Sequence, residues 1–157
     1  MRKLINPRGF TLIELIVLMV VIVITALIVF VIINPSRRIH AANNATRASH
    51  VNLILSAYQN YVAVHKGAHV TSTVAGVTYM IGAGRGAGIC AATSTSAKVV
   101  LTGLVDKYLP VVPFDPVSGN SNETGYYYYK APKGRVTIGA CDPESEGRNV
   151  PVINISR

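Results

Sequence analysis

Residues Phe10 to Ile33 run for 24 positions without a glycine or a proline, and only one of them, Glu14, is ionisable. As an α-helix this run spans roughly 36 Å, enough to cross a hydrocarbon core of about 30 Å. A helix that is apolar all round has no face to give to water, so it must be buried in lipid or against other helices. The nine residues ahead of it carry only Arg2, Lys3 and Arg8 as charges, as the n-region of a secretory signal does. The run is nevertheless longer than the roughly 7–15 residues of a signal h-region. It is followed by the polar stop Asn34-Pro35-Ser36-Arg37-Arg38, not by an Ala-x-Ala cleavage site. It therefore reads as a retained membrane helix.

The whole chain has 157 residues, room for one modest domain beside this appendage. Half of the residues are hydrophobic and 14% are charged, against about 25% in an ordinary soluble domain, which excludes a disordered chain and argues against a purely cytosolic one. Fifteen Lys and Arg against seven Asp and Glu give a net charge of +8. Between Glu14 and Asp106 there is no carboxylate, while Arg37, Arg38, Arg47, Lys66, Arg85 and Lys98 fall in that stretch. The basic character belongs to the middle of the chain, where it can face lipid phosphate, DNA or an acidic neighbour.

A carboxylate at membrane depth costs a few kcal/mol on insertion scales, so Glu14 should have a partner, and no base lies in its own helical run. Were the chain cut between Gly9 and Phe10, the new α-amino group would lie one helical turn before Glu14, on the same or a neighbouring subunit. The alternative is that Glu14 lies near the interface and snorkels to water.

The sequence Gly9-Phe10-Thr11-Leu12-Ile13-Glu14-Leu15-Ile16-Val17, after a short basic leader, resembles the class III signal of type IV pilins and type II secretion pseudopilins. The resemblance implies that a prepilin peptidase cleaves after Gly9, that Phe10 becomes an N-methylated N-terminus, and that Glu14 pairs with the N-terminal amine of an adjacent subunit. It further implies a bacterial inner-membrane protein, spanning once with its C-terminal part outside the cytoplasm. An assembly platform would then polymerise it, alone or with other pilins, into a pilus or pseudopilus. The chain departs from many family members at Val23 and Val31, where they carry Gly and Pro, and places its proline at Pro35. Charge bias does not set the orientation, since bases flank both ends of the run.

From Ile39 a second periodic segment begins, with Val51, Ile54, Leu55, Tyr58, Tyr61 and Val62 on one helical face. Arg47, Asn52, Ser56, Gln59 and Asn60 fall on the opposite, polar side, and the helix should end before Lys66-Gly67. Arg37, Arg38 and Arg47 read as a solvated or lipid-facing surface more readily than as a DNA site.

Residues 67–157 shift to Gly, Pro and β-branched or aromatic runs and read as a small sheet domain. Strands are expected at Val77–Ile81 and at Tyr126–Lys130, the tyrosine run burying alternate side chains. A tight Lys133-Gly134 connection leads to a strand at Arg135–Ala140, and a last strand is expected at Val150–Ile155. Ala97–Leu109 reads as a short helix with Val100, Leu101, Leu104 and Leu109 inward, stopped by Pro110. The order of these elements around Leu109-Pro110-x-x-Pro113-x-Asp115-Pro116 is similar to the C-terminal half of the major pseudopilin of type II secretion. The expected fold is therefore α+β and pilin-like. It comprises a leader at 1–9, a hydrophobic helix at 10–34, its amphipathic continuation at 35–66 packed on a small antiparallel sheet, and the globular part at 67–157.

Candidate chemistry is sparse. In pseudopilins a loop near this region binds calcium, which makes Asp115, Asn120, Asn122 and Glu123 oxygen-ligand candidates. Calcium takes six to eight oxygens or so, and two carboxylates in a Ser/Asn/Gly-rich loop read more readily as an ordinary turn, with no metal or other cofactor. Gly82-x-Gly84-x-Gly86-x-Gly88 lacks the helix that a dinucleotide turn opens and reads as a loop. His65 and His69 are separated by Gly67 and have no second ligand pair for zinc. Cys90 and Cys141 are the only cysteines and, in an exported domain, pair or remain as two buried thiols. Asn44, Asn122 and Asn154 each begin a glycosylation pattern with a high chance rate. No catalytic signature is found, and a structural subunit is expected rather than an enzyme. The competing reading is a monomeric single-pass membrane protein whose exported domain binds a partner.

Overall fold

The computed structural model describes residues 9–70, 72–83, 90 and 97–157. The chain divides into two compact units, Met1–Ser36 and Arg37–Arg157. The first contains helix α1, Leu12–Ile33, which is long and apolar enough to cross a membrane and buries none of its residues. It ends at Asn34 in the left-handed conformation (φ 44°), and Pro35 takes the first position of helix α2, Pro35–Val64, where its missing N–H and fixed φ cost nothing. At the far end of α2 Lys66 turns left-handed (φ 54°) and the Gly67 N–H returns to the Val62 carbonyl at 2.9 Å, a Schellman-type closure at the expected stop.

The second unit is α+β. Strands β1 (Thr78–Ile81), β2 (Lys98–Val99), β3 (Tyr126–Lys130), β4 (Val136–Ala140) and β5 (Asn154–Ser156) form one sheet in the order β2-β1-β3-β4-β5. The sheet is mixed, not antiparallel throughout, because β1 and β2 run parallel with Met80 opposite Lys98 and Ile81 opposite Val99. The other three pairs are antiparallel. Val51, Ile54, Leu55 and Tyr58 of α2 share one core with Tyr126 and Tyr128 of β3 and Val136 and Ile138 of β4.

The tyrosine run departs from simple alternation. Tyr126 and Tyr128 face the α2 core, yet Tyr127 is also buried, in a second cluster with Met80, Cys90 and Cys141. Both faces of β3 are covered, and only Tyr129 and Lys130 are as much as partly exposed. Gly139 stands opposite Tyr127, and a Cβ at Gly139 would run into the phenol ring, so the glycine makes the space the ring fills. Cys90 and Cys141 are joined by a disulfide with Cα atoms 4.6 Å apart, which removes the alternative of two thiols.

The helix expected at Ala97–Leu109 does not form. Lys98-Val99 extends instead as an edge strand, tied by the Met80 N–H to the Ala97 carbonyl and the Gly82 N–H to the Val99 carbonyl, both at 2.9 Å. Only Thr102–Leu104 winds, as a 3-10 turn, and Asp106 at φ 72° breaks any continuation. Leu101, Leu104 and Leu109 are buried as expected, but Val100 is 45% exposed. β5, at Asn154–Ser156, is shorter than the expected 150–155 and ends one residue later; Pro151, with no N–H to give to a ladder, falls in the part that stays outside it. The disulfide spans 51 residues, so the Cys90→Ser/Cys141→Ser double variant should lose about 4 kcal/mol of unfolding free energy in the chain-entropy account. Denaturant unfolding of the full chain in micelles, oxidised against double variant, measures this.

Candidate functional site

In the first unit, Gly9 and Phe10 precede α1 in non-helical backbone; Phe10 is 71% exposed, and a Cβ at Gly9 would meet nothing within 4 Å. Thr11 is the N-cap of α1, its Oγ1 accepting from the Glu14 N–H at 3.3 Å and its hydroxyl donating to Glu14 Oε2 at 3.3 Å. Thr11-Leu12-Ile13-Glu14 is thus a Ser/Thr-x-x-Glu capping sequence, with the carboxylate at the third helical position where the helix dipole favours an anion. This capping role escaped the sequence reading, although the four-residue spacing was there to be read.

In the second unit the main polar feature is a set of side chains on the N-terminal half of α2. Arg47 is only 1% exposed, which overturns its placement on the polar side of the helix. Counting back from Val51 in steps of four and three gives Arg47, Asn44 and His40, so the stripe that is apolar from Val51 onward continues toward the N-terminus in polar residues. The Arg47 guanidinium grips Asp115 with two bonds, Nε to Oδ2 at 2.6 Å and Nη2 to Oδ1 at 3.0 Å. Its Nη1 donates to Asn44 Oδ1 at 2.9 Å and to Glu144 Oε2 at 3.0 Å. Asn43 Nδ2 reaches the same Glu144 oxygen at 2.7 Å, and His40 Nε2 lies 3.6 Å from the other. Asn44 Nδ2 donates to the Glu144 carbonyl and to Glu146 Oε1, while Asn44 Oδ1 accepts the Glu144 N–H. His40 Nδ1 closes on the Ser145 carbonyl at 2.8 Å. About two turns of helix, His40 to Arg47, thereby hold the 144–146 segment and the Asp115 loop together.

Hydrogen bonding to Asp115 pushes the Arg47 guanidinium further up, against the opposing effect of burial and with help from Glu144. Burial raises the Asp115 carboxyl, but the bonds from Arg47 and from the Ser118 and Val117 N–H groups outweigh it and hold the acid below the usual carboxylate range. Glu144 is lowered first by the bond from Asn43 and then by Arg47, with some opposition from burial.

The calcium candidates are each engaged elsewhere or exposed. Asp115 Oδ1 accepts from Val117 and Ser118 N–H as well as from Arg47, and Gly125, at φ 75°, leaves no room for a side chain against the Asp115 Cβ. Asn120 Oδ1 accepts the Asn122 and Glu123 N–H groups at 2.9 Å, an Asx-type turn. Glu123 Oε1 meets Lys98 Nζ at 3.4 Å, and Asn122 is exposed. Among the described residues no three His, Cys, Asp or Glu converge as a metal set. The Arg47 guanidinium supplies positive charge to this loop from within the chain.

Of the other singled-out residues, His65 stacks on Tyr61 and His69 bonds the Tyr58 hydroxyl, so the two histidines have separate partners and neither meets Asp115. Asn44 is buried, the Thr124 hydroxyl is committed to the Ile81 carbonyl at 2.6 Å, and Asn154 donates to the Tyr127 hydroxyl at 3.2 Å. All three glycosylation patterns therefore have a member engaged in the fold. Gly84, Gly86 and Gly88 of the glycine-rich stretch lie outside the described residues, as does Arg85; Gly82 is described and packs its backbone on the Asn122 carbonyl.

No protein-family model, curated protein or solved structure matches this chain.

Removing one partner of a buried pair strands the other, so Arg47→Ala should cost about 3–5 kcal/mol of unfolding free energy. Asn52→Ala, one turn further along α2 at an exposed position, should stay within about 0.5 kcal/mol. Urea unfolding of the full chain in micelles measures both. Asp115 titrates lower when folded than when unfolded, so its contribution is complete above about pH 4 and is lost as pH falls through the folded value. The melting temperature should fall steeply below about pH 4, and Asp115→Asn should flatten that fall while lowering stability at pH 7.

Proposed function

We propose that this chain is a pilin-like structural subunit. It is made as a precursor, cleaved by a prepilin peptidase after Gly9, N-methylated at Phe10, and polymerised from the bacterial inner membrane into a pilus or type II secretion pseudopilus. The observation that carries the reading is the N-terminal geometry. An exposed, non-helical Gly9-Phe10 junction stands directly ahead of a capped helix, the helix buries nothing in its own unit, and its one carboxylate lies at its third position.

Each part has a physical use in that reading. A protease needs an accessible bond outside regular helix, and Gly9-Phe10 is one. The apolar surface of α1 is satisfied by lipid before assembly and by other copies of α1 afterwards. Cleavage creates an ammonium one turn before Glu14, which supplies a full charge where the Thr11 hydroxyl supplies only a hydrogen bond. The α+β domain in 37–157 then forms the filament's outer part, and its function is assembly rather than catalysis.

The Thr11–Glu14 bond also favours a second reading, since it gives the carboxylate a partner inside its own helix. A monomeric, membrane-anchored binding protein would need nothing more. Intact mass and N-terminal sequencing of the protein from its native cell separate the two. The expected product begins at Phe10 with one added methyl, and Glu14→Ala should be cleaved and membrane-retained yet missing from filaments. A chain still beginning at Met1 in cells with an active prepilin peptidase overturns the proposal.

A further inference from the structure

A cavity of about 320 Å³ opens between the C-terminal half of α2 and the β3–β4 connection. Leu55, Val62 and Ala63 of α2 line one side, and Gly134 and Val136 line the other. Its width follows from the sequence. Ala63 is short, and Gly134, at φ 88° in the turn, carries no side chain to fill the gap. Tyr58 and His69 also line it, but their polar atoms are turned to each other and to Tyr128, whose hydroxyl lies 3.1 Å from that of Tyr58. Most of the exposed lining is therefore hydrocarbon.

The rim is the opposite. Arg157 lines the cavity and bonds only weakly to Gln59, at 3.4 Å. Lys133 and Arg135 flank Gly134 and line a second hollow on the same turn. Burial, and then the charge of Lys130, push the His69 imidazole below its ordinary range. Among the described residues Lys130, Lys133 and Arg135 have no carboxylate partner. No Asp or Glu occurs in 47–83 or in 124–141, the stretches that build both hollows apart from Arg157. Lys133, Arg135 and Arg157 thus gather at this turn with no Asp or Glu side chain paired to them among the described residues, a positive field that favours an anion.

We infer that this slot takes the aliphatic chain of a small anionic amphiphile, a fatty carboxylate in kind, with its head group held by the cations of the rim. The volume lies at the lower end for small-ligand sites, and an apolar lining with a few convergent charges is their usual composition. A nucleic acid would seek exposed aromatic faces for stacking, whereas Tyr58 is 3% exposed and the His69 ring is already stacked on it. A bilayer surface would seek apolar side chains that protrude, whereas these line a hollow.

The test is a titration of the full chain in phosphatidylcholine nanodiscs, with ¹³C-methyl-labelled Ala and Val, using dodecanoate as the probe. The Val62, Ala63 and Val136 methyls should shift saturably, and dodecyltrimethylammonium, the cationic twin, should leave them unmoved. Lys133→Glu/Arg135→Glu should weaken binding about tenfold or more. Ala63→Phe, at an exposed helical position, should abolish it while the other methyl signals keep their places. Absence of a saturable shift, or an equal response to the cationic twin, overturns the inference. So does the same shift produced without dodecanoate, by a single-stranded oligonucleotide, which would mark a nucleic-acid surface, or by discs containing anionic lipid, which would mark bilayer docking.

Discussion

Arg47 and Asp115 meet with almost no access to water, and two charges in that position must satisfy one another or abandon the interior. Their two-pronged geometry specifies more than energy. The guanidinium fork fixes the rotation of α2 about its axis, because only one face can present Arg47 to the loop while Val51, Ile54 and Tyr58 enter the core. Asp115 in turn ties its own loop through the Val117 and Ser118 N–H groups and through the backbone bond to the Thr124 carbonyl, just before β3 begins. Glu144 repeats the arrangement after β4, so one arginine organises the chain on both sides of the central hairpin. An apolar pair of equal volume would bury as well but would lack the directional bonds that set the height of the Asp115 loop and Glu144 against α2. The ion pair is better understood as a register device than as a source of net stability.

The parts of the fold that were legible in the sequence are those governed by one local rule. The uninterrupted apolar run gave α1, the three-and-four spacing gave the core face of α2, Lys66-Gly67 gave its end, and Lys133-Gly134 gave the β3–β4 turn. What was not legible depended on distant partners. Arg47 reads as surface until Asp115 arrives from 68 positions away, and the tyrosine run reads as half exposed, whereas Tyr127 is buried beside the Cys90–Cys141 bridge as Tyr126 and Tyr128 are on the other face. Lys98-Val99 has enough helical neighbours to read as helix, but the free edge of β1 offered backbone bonds that a short helix interrupted by Gly103 could not match.

The same contrast applies to the candidate sites. The Gly9-Phe10 and Glu14 expectations rest on adjacent residues, and to these the structure adds the Thr11 cap bonded to Glu14. The composition of the loop around Asp115 offers a choice between a calcium site and a turn, and the structure adds an internal cation to it. A cation can be supplied by the chain itself, and a guanidinium with five donors satisfies a buried carboxylate as an ion would, without requiring six to eight oxygens or so from the loop. Loop composition alone could not reveal this, since the decisive residue belongs to the helix.

α1 and the 37–157 unit answer to different solvents. The domain closes its core on itself, with a disulfide and a buried ion pair to hold it. α1 keeps every side chain uncovered, including Phe10 ahead of it and the β-branched run from Val20 to Thr25. Such a helix has no stable state in water, and lipid and helix–helix contact are the two environments that complete it. Lipid solvates an apolar helix without regard to its rotation, but a carboxylate at the third position constrains both environments. In lipid it must stay near the interface, and among copies of itself it requires a cation at a defined height. In the proposed subunit, Glu14 would separate a helix merely dissolved in a membrane from one positioned within an assembly, and an α-amino group created by cleavage at Gly9-Phe10 would be the cation nearest to it.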